Sequence, residues 1–180
     1  MLAPVNSRWE RGFERPSQLQ ANGNVIVFNV AAELFAFSTS CVQEIVPMAQ
    51  LSRPPGLPSI LEGFLNLGGT AVPVLRLDRL FGLAAIRPGL YTPLLILQID
   101  NHPIGALVDQ VNEVLAVTEE ALLPVGGSTF NDCVIAELSG NERTIHLLDP
   151  NRILLEQERQ ALVEFQAIAQ RRLGELEAAA

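Results

Sequence analysis

Lysine is absent from this chain of 180 residues: its twelve cations are all arginine, set against twenty Asp and Glu for a formal charge of -8. The arginines lie apart except for short runs at 8–15 and 171–172, so no basic face is evident. Binding a phosphate backbone draws most of its affinity from clustered cations, which argues against a nucleic-acid partner. Cysteine occurs only twice, at Cys41 and Cys133, each inside an apolar stretch. A disulfide framework or thiolate metal site therefore has no support, and both read as buried small hydrophobes. Long hydrophobic runs are also missing: 94–97 and 121–125 fall far short of the roughly 18–20 apolar residues that span a bilayer, so no direct membrane insertion is expected. Arg8, Trp9 and Glu10 stand where a secretory signal would need an unbroken apolar core, which makes the expected home cytoplasmic.

Signs of catalysis are equally sparse. Histidine occurs at His102 and His146 only. The first sits in an expected turn at 100–103 and reads as exposed; the second falls mid-strand between Ile145 and Leu147, on the wetter face of a sheet. Neither has the three or four convergent partners that a metal site wants. No nucleophile elbow, phosphate loop or HExxH helix is present: Gly126-Gly127 lacks the following Lys-Ser, and Glu119-Glu120 reads as a solvated loop. The expectation is a protein that is not an enzyme, with no cofactor and no metal.

What the chain has is 48% hydrophobic residues, enough for a core at this length. Residues 1–24 are polar, carry two prolines and end in Ala-Asn-Gly-Asn, and read as a flexible leader. From Val25 the texture is short β-branched and aromatic runs: 25–30 and 34–37 as a hairpin, 61–67 and 71–77 across Gly68-Gly69 as a second, then 94–99, 104–108, 111–117, 132–138 and 144–148. Ser40 ahead of Gln43 forms a weak capping box, so 38–46 reads as a helical turn or an irregular strand. The three prolines of 51–58 exclude a helix there. Asp78 to Phe81 reads as a helical turn capped by the aspartate and closed by Gly82. The rhythm of short strands predicts an all-β sandwich or barrel with a C-terminal helix, in two approximate halves, 25–86 and 91–150. In the tail, Leu154, Leu155, Leu162, Phe165, Ala169 and Leu173 approximate an apolar helical stripe, with Asp149 and Pro150 placed to start it and 156–180 forming an amphipathic extension.

The stretch Glu62-Gly63-Phe64-Leu65-Asn66-Leu67-Gly68-Gly69-Thr70-Ala71-Val72-Pro73-Val74-Leu75-Arg76-Leu77-Asp78-Arg79-Leu80-Phe81-Gly82-Leu83 resembles the most characteristic segment of CheW-like domains. There a Gly and two apolar residues precede Asn-Leu-Arg-Gly, an apolar strand with Pro, Asp-Leu and Phe-Gly. Val42-Gln43-Glu44-Ile45 is similar to the family's Val-x-Glu-Ile/Val segment, and 105–114 to its Gly-x-x-Val-Asp-x-Val-x-Glu-Val strand pair. The resemblance covers about 25–155. It implies two intertwined five-stranded SH3-like β-barrels around a shared core. It also implies a non-catalytic adaptor that couples the regulatory domain of a chemotaxis-type histidine kinase to the cytoplasmic tip of a methyl-accepting receptor, recruited to membrane-bound receptor arrays. Carried over by position, the partner-binding residues are Val42, Glu44, Gly63, Asn66 and Gly68, with Val108, Asp109, Val111 and Glu113 on the second barrel. One departure stands out: the family's turn arginine is Gly68 here. An adaptor of a non-chemotactic pathway, such as pilus or surface-sensing control, is the alternative that this departure suggests. A small enzyme or ligand carrier with a site between the barrels is the third reading.

Overall fold

The computed structural model describes residues 22–125, 132–139 and 143–180. Among them the chain forms strands β1 (Asn22–Val30), β2 (Glu33–Ser38), β3 (Val42–Pro47), β4 (Leu61–Leu67) and β5 (Thr70–Arg76), then the short helix α1 (Leu77–Leu80). Strands β6 (Pro93–Ile99), β7 (His102–Leu107), β8 (Gln110–Thr118), β9 (Leu122–Leu123), β10 (Val134–Ser139) and β11 (Thr144–Leu148) follow, and helix α2 (Glu156–Ala178) closes the chain. β1 begins inside the segment expected to be a leader; the rest of that segment, the Gly126-Gly127 pair and most of the turn at 139–141 lie outside the described residues.

Two sheets carry these strands, one of six in the order β8-β1-β2-β11-β10-β9 and one of five in the order β3-β6-β7-β5-β4. Both curl back on themselves. In the first, the outermost strands β8 and β9 are consecutive in the chain, joined only by a 3-10 turn at Glu119–Ala121. In the second, Ser52, a few residues beyond one outer strand, pairs with Phe64 on the other through two backbone hydrogen bonds of 2.8 and 2.9 Å.

Taken on either side of the loop between α1 and β6, each part of the described chain opens with a hairpin and gives that hairpin away. β1-β2 sits between β8 and β11 of the second half, whereas β6-β7 sits between β3 and β5 of the first. In both sheets the donated hairpin meets one neighbour antiparallel and the other parallel: β2 on β11, β7 on β5. Neither part completes a sheet alone, because each hairpin, paired within itself, finds the partners for both of its outer flanks in the other part. The cores merge accordingly. Phe28, Phe37, Leu75 and the unbroken run Leu94, Leu95, Ile96 and Leu97 are fully buried in one cluster shared by both sheets, and the Phe28 and Phe37 rings stack at 5.0 Å. A smaller cluster around Val25, Val27 and Leu147 fills the six-stranded sheet.

Three local expectations are corrected. Residues 39–41 form a 3-10 turn capped by Ser38, not by Ser40, and the chain then enters β3. Asp78 lies inside α1 and not at its cap, because its carboxylate is held by Arg76. Asp149 and Pro150 start a separate 3-10 turn, Pro150–Arg152, and α2 begins only at Glu156, where the Glu158 carboxylate accepts from the Leu155 amide at 2.8 Å. Cys133 is buried as expected, but Cys41 is only partly so.

Candidate functional site

The nine residues carried over by resemblance fall in three places. Val42 and Glu44 lie on β3, an outer strand of the five-stranded sheet, with a bulge between them that aims Glu44 and Ile45 at solvent. Ile45 is 47% exposed, unusual for so large an apolar group. Gly63, Asn66 and Gly68 lie on or just after β4, the opposite outer strand. Val108 and Asp109 form the crossover from the five-stranded to the six-stranded sheet, and Val111 and Glu113 follow on β8, an outer strand of the latter.

Several of these side chains have structural tasks. A Cβ on Gly63 would stand 2.8 Å from the Ser52 carbonyl oxygen and 2.9 Å from the Leu51 Cβ, so glycine lets the 51–53 segment close the barrel. The Asn66 Oδ1 accepts from the Gly69 amide at 2.9 Å and braces the turn, whose two glycines have φ of 58° and 88°, as a tight hairpin turn requires. Val108 is fully buried. Asp109 ties the crossover to the β1-β2 turn: its carboxylate accepts from the Ala31 amide at 2.5 Å, and its own amide donates to the Asn29 carbonyl at 2.9 Å. Glu44, Ile45, Glu113 and Val114 remain as exposed side chains on outer strands, a mixed acidic and apolar surface of the kind that protein partners cover.

A charged cluster beside β4 and β5 escaped the sequence reading. The buried Arg76 guanidinium makes a two-pronged contact with Asp78, at 2.8 and 2.6 Å, donates to Glu62 at 2.7 Å and to the Ile86 carbonyl at 2.9 Å. Asp78 accepts in addition from the Ile86 amide at 2.9 Å. Glu62 is braced from outside by Arg53 at 2.7 Å and Arg79 at 3.6 Å. Burial alone would raise the carboxyls of Asp78 and Glu62; the bonds to Arg76, and to Arg53 for Glu62, outweigh it and hold both below their ordinary values. Arg76 is held charged chiefly by its bonds to Asp78. The cluster pins β4, α1 and the loop to Ile86 together. Its signal in the sequence was two charges, Arg76 and Asp78, at the end of a strand with no other break in its apolar character.

The histidines do not converge. His146 lies over the Phe35 ring at 5.7 Å, with Nδ1 3.5 Å from Glu137, in an open recess on the six-stranded sheet. His102 borders a largely apolar crevice beneath α2. Among the described residues no group of His, Cys, Asp or Glu is arranged to hold a metal ion, and no helix is long and apolar enough to cross a membrane.

The sequence pattern of the CheW-like domain family matches residues 24–158. The chemotaxis protein CheW of Bacillus subtilis (strain 168) is 27% identical over 154 residues, covering 84% of this chain and 99% of that one. The chemotaxis protein CheW of Klebsiella aerogenes is 29% identical over 144 residues, with 77% and 85% covered. The crystal structure of the scaffolding protein TtCheW from Thermoanaerobacter tengcongensis superposes with a TM-score of 0.68 at 25% identity, over 73% of this chain and 91% of that one.

Proposed function

Because this chain belongs to the CheW-like domain family, whose fold is two SH3-like barrels, we propose that it is a non-catalytic chemotaxis adaptor that couples a histidine kinase to methyl-accepting receptors. It holds the kinase's regulatory domain and the receptor's cytoplasmic tip at once, and so gathers a cytoplasmic protein onto membrane-bound receptor arrays. One observation carries the reading: β3 and β8, outer strands of two different sheets, each present an exposed carboxylate beside an exposed apolar side chain, Glu44 with Ile45 and Glu113 with Val114. Outer strands with unpaired flanks are ready templates for a partner. Val42, Asp109 and Val111 flank these positions, whereas Gly63, Asn66 and Gly68 lie on β4 and its turn and Val108 is buried at the crossover.

The bare turn favours a second reading, an adaptor for a non-chemotactic pathway. Gly68 offers no side chain where relatives of the family pattern carry arginine, and a planar five-donor group is not replaced by anything nearby in sequence. Titration of the chain with the regulatory domain and with the receptor tip tests both readings. Binding of both partners, weakened roughly tenfold or more by Glu44→Arg for one and Glu113→Arg for the other with unchanged thermal unfolding, is the expected result. No binding of either partner at tens of micromolar sinks the adaptor reading; binding only to components of a pilus or surface-sensing system selects the second.

A further inference from the structure

Helix α2 lies almost wholly beyond the matched domain, which ends at 158, and it is attached in an unusual way. β5 is paired with β7 only from Val74 onward. Ahead of that point the flank of β5 turned away from β4 has no strand beside it, and α2 takes the vacant position. Gln166 and Gln170, one helical turn apart, act as a substitute strand: Gln170 accepts from the Ala71 amide at 2.8 Å and donates to the Gly69 carbonyl at 2.9 Å, while Gln166 donates to the Ala71 carbonyl at 3.1 Å. Side-chain amides thereby satisfy main-chain groups that would otherwise be open to pairing.

The apolar part of this seam is thin. Of the 23 residues of α2 only Leu162 and Ala169 are buried, with Phe165 partly so. Two crevices run along it, about 60 Å³ between Phe64, Ala71 and Leu173, and about 80 Å³ between Ile104, Leu154 and Leu162. Val163, Ile168 and Leu176 face solvent, so the apolar contact of the helix is confined to one narrow stripe. At its first turn the Arg159 guanidinium pairs with Asp100 at 2.7 Å and donates to the Asn151 carbonyl, which fastens the helix beside the β6-β7 turn. Its far end crosses the Asn66-Gly69 turn, where Glu177 approaches within 3.7 Å of where a Cβ on Gly69 would stand.

We propose that the face under α2 is a helix-binding surface of which α2 is the resident occupant, and that a partner helix replaces it. The seated helix states what fits: a leucine and a small residue seven positions apart, with two glutamines between and beside them that reach the free N–H and C=O of residue 71 and the carbonyl of residue 69. The inference rests on the adaptor reading, because the covered face adjoins Asn66 and Gly68 of that same site. While α2 is seated, partner affinity is reduced by the fraction of molecules in which it has lifted.

Two measurements on the full chain decide this. Hydrogen exchange should show the Ala71 amide exchanging through a local opening, well ahead of the Arg76 amide, which donates to the Ile60 carbonyl in the same strand. In the Gln166→Ala/Gln170→Ala double variant the Ala71 amide should exchange faster still, with Arg76 unchanged. The variant should also bind either the receptor-tip fragment or the kinase regulatory domain roughly fivefold or more tightly, since lost hydrogen bonds raise the lifted fraction. Exchange of Ala71 in step with Arg76 overturns the proposal, because α2 is then a fixed part of the fold. Unaltered affinity of the variant for both partners overturns it as well. If neither chain binds either partner, the adaptor reading falls, and a partner helix on this face falls with it, whatever the exchange rates show.

Discussion

Removing the Asp78 carboxylate should be among the most damaging single changes this fold can suffer. Asp78→Ala strips the buried Arg76 of its two-pronged partner and leaves the Ile86 amide without its acceptor. Glu62 remains, on one prong only. Breaking a buried pair by deleting one member costs on the order of 3–5 kcal/mol, because the surviving charge stays desolvated. A domain's whole stability is about 5–15 kcal/mol, so the loss is a large share of it. With a urea m-value of about 2 kcal/mol/M, the midpoint should fall by about 1.5–2.5 M at unchanged slope. The informative partner variant is Arg76→Met/Asp78→Leu, which removes both charges and keeps the volume; it should recover most of the loss. A midpoint shift below about 0.3 M for Asp78→Ala, or a double variant as weak as the single one, would refute the view that an uncompensated buried charge dominates here.

The same cluster makes the fold sensitive to acid. Asp78 and Glu62 have folded values below their ordinary ones, so they stabilise the native state above the ordinary carboxylate range, and that contribution is lost as the pH falls through it, from about 4 downward. Chemical denaturation at stepped pH should show the decline in the parent, and a much flatter profile in Arg76→Met/Asp78→Leu. Gly63→Ala should lower stability by about 1–3 kcal/mol, since a methyl group meets the Ser52 carbonyl at 2.8 Å and the 51–53 segment must shift; calorimetry showing no change would mean that the segment yields freely. The Cys133 thiol, pushed up to about 11 mainly by burial and further by Asp132 and Asp149, should resist a thiol reagent at pH 8 until the protein unfolds. Prompt labelling of both cysteines in native buffer would contradict that burial.

Much of the fold is legible in the residues. The apolar runs on either side of Gly68-Gly69 make β4 and β5 with the turn between them, and Asp100-Asn101 is a turn with positive φ at both positions. Local chemistry sets these features, which is why a single sequence exposes them. The exchange of hairpins is not legible, because nothing in Phe35 or Ala36 indicates that the strand beside them comes from residues 145–147, over a hundred positions away. Which element Asp149 and Pro150 start is not legible for a related reason: Asp149 caps a turn as well as it caps a helix, and the turn forms where Ile153 and Leu154 pack into the core. Glu44 and Glu113 were reached through resemblance and stand exposed on outer strands, whereas Gly63 and Val108, reached the same way, proved to be occupied with the backbone and the core.

Trading hairpins also has a mechanical result. An ordinary two-lobed protein can flex about its linker, but here the chain crosses between lobes at residues 39–41 and again at 108–109, and the second crossing is stitched to the β1-β2 turn. Partners bound at β3 and at β8, as proposed, would therefore be held at one set angle, as by a bracket and not a tether. A component built this way dictates how its neighbours face one another, and repeated many times it would fix the geometry of an extended array.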